Sequence, residues 1–166
     1  RFSQIGSVPE LKEEDVAAVL EEIIEYFRNR GPQFGRHEIT VECRDELPPI
    51  PINAELISWA FENLFKNALD AMDRQTGSMR IRLGFMPEGR AVQITFQDDG
   101  RGIEPENVKR VFDPGFSTKK RGWGLGLAFV KRIVEEYHKG KISVVQSAPG
   151  AGTTFEVILP LGKGAK

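Results

Sequence analysis

Apolar positions along the chain predict a short series of helices and strands. From Asp15 to about Asn29, apolar residues recur at every third or fourth position, which predicts an amphipathic helix. Asn53 is expected to cap a longer helix that runs to about Arg74. Where apolar and polar residues alternate, the pattern predicts strands. The predicted strands cover residues 37–43, 78–85, 91–97, 141–146 and 153–159, and a third helix is expected over about 124–137.

The order of these elements indicates one α/β domain of the α+β kind. Hairpins mixed with helices favour a two-layer sandwich, in which a mixed, largely antiparallel sheet packs on about three helices. A length of 166 residues fits a single domain. Residues 13–161 are expected to form it, with residues 1–12 as a linker or the tail of a preceding helix and residues 162–166 as a C-terminal tail.

Composition narrows the classes of function. The chain has 23 Lys and Arg residues against 24 Asp and Glu residues, a formal net charge of −1. A nucleic-acid-binding surface needs an excess of basic residues, so no nucleic acid partner is expected. No apolar run approaches the roughly 18 residues of a membrane span, so no membrane contact by this domain is expected. Cys43 is the only cysteine, and a reducing cytoplasm is the expected location, with a membrane anchor elsewhere in a longer protein left open.

Glycine is concentrated in one part of the chain. Six of the 17 glycines fall within residues 100–126. Glycine weakens regular structure, and it is useful where the backbone must approach a ligand closely or adopt a positive φ. This cluster is therefore the first candidate for a binding site.

A polar stripe follows the predicted second helix. At about 100° per residue, Asn63, Asn67 and Asp70 fall on one side of that helix, beside its apolar arc. Amide oxygens are hard neutral ligands suited to Mg2+, which takes much of its charge compensation from substrate phosphates. Two Asn residues one turn apart could hold such an ion. The alternative is that they are hydrated amides on the helix surface.

An acidic pair stands at the end of the strand predicted over 91–97. Asp98 and Asp99 lead there into a loop that contains Gly100 and Gly102. Asp98 is placed to accept a hydrogen bond from an exocyclic amine such as that of adenine. This contact discriminates between ligands because its loss leaves a buried acceptor unpaired. The alternative is a tight turn in which the Asp side chain caps its own backbone.

The segment before the predicted third helix is rich in glycine and in basic residues. Glycines at alternate positions lead into that helix, whose first N–H groups attract anions such as phosphate. Lys119, Lys120 and Arg121 would reach phosphate oxygens or simply solvate the loop. Phe112 and Phe116 would pin its near end, although packing in the core also explains them.

Taken together, five segments resemble the ATP-binding catalytic domain of sensor histidine kinases, in the superfamily shared with DNA gyrase, Hsp90 and MutL ATPases. In chain order they are ENLFKNALDAM, DDGRGI, VFDPGFSTKK, GWGLGL and GAGTTF. The resemblance covers roughly residues 15–160. The sequence PGFSTK and the short loop around it are similar to the corresponding segment of kinases of the nitrogen-regulation type.

This resemblance implies an ATP-binding sandwich of the Bergerat type and a set of site residues. Asn67 and Asn63 match the residues that hold Mg2+, with Asn63 near the γ-phosphate, and Asp98 matches the adenine-recognising carboxylate. Residues 113–122 match a lid over ATP. The nucleotide-binding residues that it implies are Asn63, Asn67, Asp70, Asp98, Gly100, Gly102, Ile103, Phe116, Lys119, Lys120, Gly122, Gly124, Leu125, Gly126, Leu127 and Thr153.

One position bears on the type of reaction. In the hydrolysing members of this superfamily and in anti-sigma serine kinases, a Glu that prepares the nucleophile lies four residues before the magnesium Asn. Here that position is Asn63. Glu62 is adjacent but projects about 100° away around the helix. The resemblance therefore implies transfer of the γ-phosphoryl group of Mg-ATP to a histidine rather than hydrolysis.

The resemblance places the acceptor histidine on a separate domain. His37 lies in a predicted strand without the proline that follows an acceptor His-Glu pair, and His138 is expected to end a helix, where a cationic side chain suits the dipole. The implied partners are the protein's own dimerisation and histidine phosphotransfer domain, in a homodimer, and indirectly a response regulator. Two alternatives stay open, a stand-alone ATPase of the same superfamily and a non-enzymatic nucleotide-binding or docking module.

Overall fold

Helices cover one face of a β-sheet in the computed structural model, which describes residues 9–29, 36–72, 76–116 and 126–162. The elements are β1 (Lys12–Glu14), α1 (Val16–Arg28), β2 (Arg36–Cys43), β3 (Ile50–Ile52), α2 (Ala54–Ala71), β4 (Thr76–Phe85), β5 (Ala91–Asp98), a 3-10 helix (Pro105–Arg110), α3 (Gly126–Lys131), a π-helix that continues it (Arg132–Tyr137), β6 (Lys141–Ser147) and β7 (Thr153–Pro160). None of the helices in these ranges has the length and hydropathy of a membrane span.

Among the described residues, the main sheet has five strands in the order β2-β4-β5-β7-β6. The β2 strand pairs with β4 in parallel, and all the other neighbours pair antiparallel. A separate antiparallel pair is formed by β1 and β3. The sheet is therefore mixed and largely antiparallel, which confirms the predicted two-layer α/β sandwich.

The hydrophobic core lies between this sheet and the helices. Alternate residues of β5, namely Val92, Ile94 and Phe96, are buried against them. The ring of Phe65 in α2 stacks on Phe27 of α1 with centroids 5.1 Å apart, and it meets Phe96 edge to face at 6.1 Å. Burial of this apolar arc, which the sequence predicts, fixes the rotation of α2 about its axis. The direction of its polar stripe is fixed with it.

Several local features differ from the sequence prediction. The α2 helix ends at Ala71, before the predicted limit at Arg74. Its last carbonyl, that of Ala71, instead accepts a hydrogen bond from the N–H of Arg101 at 3.0 Å. The β1 strand begins at Lys12, within the stretch expected to be a linker, and pairs with β3. Three residues are too few to show alternation, so the pattern predicts neither strand.

His138 is buried, which corrects the expectation of a cationic side chain at a helix end. Only 2% of the residue is exposed, and burial lowers the pKa of its imidazole. Its Nδ1 lies 2.8 Å from the carbonyl oxygen of Ile133, and its Nε2 accepts from the backbone N–H of Asn53 at 3.0 Å. Because Nε2 must be unprotonated to accept, the ring is neutral. The same ring fastens the π-helix to the residue that caps α2.

Acid should destabilise the fold through His138. A histidine whose pKa is lower in the folded chain than in the unfolded chain contributes stability that is present above the unfolded value, about 6.5, and lost as the pH falls below it. In urea denaturation, the free energy of unfolding should fall from about pH 8 to about pH 5.5 more steeply in the wild type than in His138→Asn, whose side chain does not titrate. Equal falls in the two proteins would contradict this.

Candidate functional site

Two segments that are distant from α2 in the chain pack against it. The loop after β5 lies against the end of this helix, because a Cβ added at Gly100 would be only 2.6 Å from the carbonyl oxygen of Ala71. The start of α3 lies against its middle, because a Cβ at Gly126 would be 3.2 Å from Oδ1 of Asn63. The predicted polar stripe, acidic loop and glycine-led helix are thus neighbours in space.

Asp98 is the buried charge of this region. It ends β5 on the face that the helices cover, stands opposite Thr153 in the register of β5 and β7, and is only 5% exposed. Its Oδ1 accepts a hydrogen bond from the N–H of Gly100 at 2.9 Å. Burial raises the pKa of this carboxyl, while hydrogen bonds from the N–H groups of Gly100 and Thr153 act against that rise. The local turn expected as the alternative is thus present, but around a buried carboxylate.

Asp99, the other member of the acidic pair, links two strands. Its Oδ1 accepts from the N–H of Ser78 at 3.0 Å, and its Oδ2 accepts from the Ser78 hydroxyl at 3.2 Å. The N–H of Asp99 donates in turn to the carbonyl of Ser78 at 3.2 Å. The two adjacent carboxylates therefore have different surroundings, one facing the helices and one tying β5 to β4.

Two glycines allow the loop after β5 to contact the turn between β6 and β7. Gly102 has φ +76°, and a Cβ there would lie 2.0 Å from the carbonyl oxygen of Ala148. Gly152 has φ +85°, and a Cβ there would lie 2.0 Å from the carbonyl oxygen of Asp98. Any larger residue at either position would push these backbones apart. The two loops form a close-fitting cradle of main chain beside Asp98.

Ser147 joins the same two loops and was not among the predicted site residues. Its hydroxyl oxygen accepts from the N–H of Ile103 at 2.9 Å and lies 3.0 Å from the Thr153 hydroxyl. The sequence signal is weak, since a Ser before a Pro-Gly turn is common without such a role. Arg101 was also missed, and its Nη1 donates to the carbonyl of Asp70 at 2.9 Å.

The amides of α2 stand at the rim of the buried face, as the periodicity predicts. Asn63 and Asn67 are half-buried, and Asp70 is exposed. Because Nδ2 of Asn63 donates to the carbonyl of Trp59 at 2.9 Å, the side chain is held with Oδ1 toward the start of α3. Glu62 lies 3.4 Å from Nζ of Lys66 in an ion pair along the helix. It therefore projects away from Asn63, as expected.

The segment between the 3-10 helix and α3 is described only at its ends. Phe112 packs on Phe155 with ring centroids 6.0 Å apart, and the guanidinium of Arg110 lies 5.2 Å from the centroid of the Phe116 ring. Leu127 is half-buried against the core. The predicted site residues in the rest of the loop lie outside the described residues, and they are Lys119, Lys120, Gly122, Gly124 and Leu125.

A cavity of about 630 Å³ opens beside the site. Its lining includes Asn63 and Gly126, together with the aromatic side chains of Trp59, Phe112 and Phe129. Asp98 is not among the described residues that line it. The cavity therefore adjoins the end of the site at Asn63 and not the end at Asp98.

Comparisons with known proteins agree with this geometry. The sequence profile described as "Histidine kinase-, DNA gyrase B-, and HSP90-like ATPase" matches residues 52–163. The sensory histidine kinase/phosphatase NtrB of Rhodobacter capsulatus is 37% identical in an alignment of 175 positions that covers 97% of this chain and 47% of that protein. The chain thus spans less than half the length of this relative.

Solved structures show the same fold. The nucleotide-free catalytic domain of histidine kinase ThkA has a TM-score of 0.79 and 25% identity, over 92% of this chain and 96% of that one. Full-length ShkA, solved in complex with AMPPNP, has a TM-score of 0.82 and 25% identity, over 99% of this chain and 35% of that one. The resemblance to the ATP-binding catalytic domain of sensor histidine kinases is confirmed, and the chain belongs to the histidine kinase-, DNA gyrase B- and HSP90-like ATPase family.

Proposed function

We propose that this chain binds Mg-ATP between α2, the loop after β5 and the start of α3, and donates the γ-phosphoryl group to a histidine on a separate domain. The observation that carries the proposal is the buried carboxylate of Asp98, enclosed by a main-chain cradle beside the amide-bearing face of α2. Membership of the ATPase family supports nucleotide as the ligand, and so does the ATP analogue in the structure of ShkA.

In this proposal Asp98 selects adenine. Removing a carboxylate from water is costly unless donors meet it, and the N–H of Gly100 supplies one. The exocyclic amine of adenine would supply another. A guanine base presents an oxygen at the corresponding position, which would face the carboxylate without a hydrogen. Asp98 therefore favours ATP over GTP.

Asn63 and Asn67 are proposed to hold Mg2+ through their amide oxygens. The residues fit this ion, because its preferred ligands are hard oxygens and the bond from Asn63 to Trp59 leaves the amide oxygen directed toward the start of α3. When bound, Mg2+ would offset the negative charge of the phosphates. The chain's own part is to orient the nucleotide so that an incoming histidine meets the γ-phosphorus in line.

Phosphotransfer is favoured over hydrolysis by the surroundings of Asn63. This position has no carboxylate to prepare water, and the nearest one on the helix, Glu62, is paired with Lys66. An amide cannot act as a general base at neutral pH. The separate acceptor domain would supply both the histidine and the base. This domain then needs only to hold ATP and exclude water from the γ-phosphate.

The proposed partners follow from the same role. The acceptor is the protein's own dimerisation and histidine phosphotransfer domain, in a homodimer, and a response regulator receives the phosphoryl group from it. The proposed location is the cytoplasm. His37 is not the acceptor in this proposal, because it lies in β2 with Nε2 3.2 Å from the carbonyl oxygen of Met72.

Asp98→Asn should abolish tight ATP binding without weakening the fold. We expect affinity for Mg-ATP, measured by calorimetry, to fall about 100-fold, because a charged hydrogen bond to adenine is lost. The pKa of Asp98 is raised by burial, so its ionised form costs stability above the unfolded value, and the melting temperature at neutral pH should be unchanged or higher.

Asp99→Asn is the matched control for that change. It alters the neighbouring carboxylate, which holds Ser78, so the melting temperature should fall while ATP affinity is retained. Normal ATP affinity in Asp98→Asn would contradict the assignment of the adenine site.

Asn67→Ala and Asn63→Ala should remove the part of ATP affinity that depends on Mg2+. Each loses an oxygen ligand, and we expect about 10-fold weaker binding with Mg2+ present and little change when Mg2+ is chelated. Calorimetry with and without a chelator makes the measurement. An equal loss in both conditions would contradict metal binding by these amides.

The rival function of a stand-alone ATPase is tested by phosphate release. The proposal predicts no sustained release of phosphate from ATP by the purified chain, and no effect of Glu62→Gln on the residual rate. Steady turnover that Glu62→Gln abolishes would instead establish hydrolysis, and failure of the wild type to bind nucleotide would favour a docking module.

A further inference from the structure

The α2 helix and the helical segment 126–137 pack side by side in opposite directions. Gly126, at the start of this segment, lies against Asn63 in the middle of α2. One turn away, the rings of Trp59 and Phe129 meet edge to face with centroids 4.9 Å apart. At the other end, His138 reaches the residue that caps the start of α2. The two helices that flank the proposed phosphate site are thus joined at both ends of their contact.

His138 links the two helices through both nitrogens of its buried ring, and this pair of hydrogen bonds is called the joint. Nε2 accepts from the N–H of Asn53 at 3.0 Å, so the ring proton lies on Nδ1, which donates to the carbonyl of Ile133 at 2.8 Å. Nε2 is therefore the acceptor toward Asn53 and Nδ1 the donor toward Ile133. Only the neutral tautomer with its proton on Nδ1 makes both bonds. The ring thus links the N–H of Asn53, at the start of α2, to the carbonyl of Ile133 in the π-helix.

Asn53 extends this joint to the segment before β1. Its Oδ1 accepts from the N–H of Leu56 at 3.0 Å and caps α2, while its Nδ2 donates to the carbonyl of Glu10 at 3.2 Å. One residue thus contacts the start of α2, the end of the π-helix through His138, and the chain that leads into the domain. Its backbone N–H, its Oδ1 and its Nδ2 each make one of these three contacts.

We propose that His138 is a positioning residue for the nucleotide site, in that it sets the placement of Gly126 against Asn63 by fixing the far end of the helix pair. The inference rests on the proposed binding of Mg-ATP between these helices. His138 directly follows the helical segment that begins at Gly126, and a close-packed interior transmits a displacement at one end of such a segment to the other. Loss of the His138 bond to Asn53 should therefore weaken nucleotide binding at a site that His138 does not touch.

Two substitutions separate the bonds of the ring. His138→Asn places an amide near the position of Nδ1, so it can keep the bond to Ile133 while losing the bond to Asn53. His138→Gln places its amide near the position of Nε2 and can keep the acceptor for Asn53. By calorimetry with Mg2+ present, we expect about 10-fold weaker ATP binding in His138→Asn and a substantial recovery of affinity in His138→Gln.

Asp15→Ala is the matched control for stability. Asp15 caps α1 by accepting from the N–H groups of Ala17 and Ala18, and its loss should lower the melting temperature without changing ATP affinity. If His138 had a purely structural role, His138→Asn would also lower the melting temperature and leave ATP affinity unchanged. Wild-type affinity in folded His138→Asn, or equal losses in the Asn and Gln variants, would overturn the proposal.

If His138→Asn does not fold, hydrogen exchange in the wild type tests the positioning role of His138 instead. Saturation with Mg-ATP should slow exchange of the Asn53 amide more than that of the Ala18 amide, because ligand binding would stabilise the joint locally. Equal slowing of the two amides would overturn the positioning role. Failure of the wild type to bind Mg-ATP is a different result, and it would overturn the proposed function and this inference together.

Discussion

A carboxylate buried at the end of the central strand is the constraint on which this site depends. Asp98 ends β5, the middle strand of the five-stranded sheet, and faces the helices with only 5% of the residue exposed. Such a group stays ionised inside a protein only when hydrogen-bond donors surround it. The N–H groups of Gly100 and Thr153 supply two, and they come from different segments. The loop after β5 and the start of β7 must therefore close around this one side chain.

That closure brings the remaining parts of the site into place. Backbones approach so tightly at Gly102 and Gly152 that a Cβ at either would overlap a carbonyl oxygen. The same loop binds the end of α2 through Arg101 and Ala71. Since the core fixes the rotation of α2, the amide of Asn63 then faces the start of α3. A binding region emerges from the buried charge, the packing of one helix and a few contacts between main-chain atoms.

Local periodicity was sufficient to predict much of this arrangement. The strand predicted over 91–97 places Asp98 at its end, and helical spacing places Asn63 and Asn67 beside the buried arc. These predictions succeed because each depends on neighbours within one element. Their roles toward nucleotide and metal stay predictions, and so does the role of Lys119 and the rest of its loop.

Features that depend on distant partners could not be predicted in this way. Ser147 bonds to Ile103, which is 44 residues away, and no pattern around the Ser indicates that contact. His138 bonds to Asn53 across 85 residues, and the sequence around it indicates only the end of a helix. The expectation of a cationic His138 was wrong because the side chain is buried and its Nε2 accepts a hydrogen bond from the N–H of Asn53. The strand pair β1 and β3 was missed for the same reason, since each strand is recognisable only by its partner.

A crystal structure of the chain with Mg2+ and AMPPNP would test the proposed nucleotide site most directly. We predict the adenine amine within hydrogen-bonding distance of the Asp98 carboxylate, the amide oxygens of Asn63 and Asn67 on the metal, and the phosphates beside Gly126. Adenine bound away from Asp98, or a metal held without either amide, would contradict it.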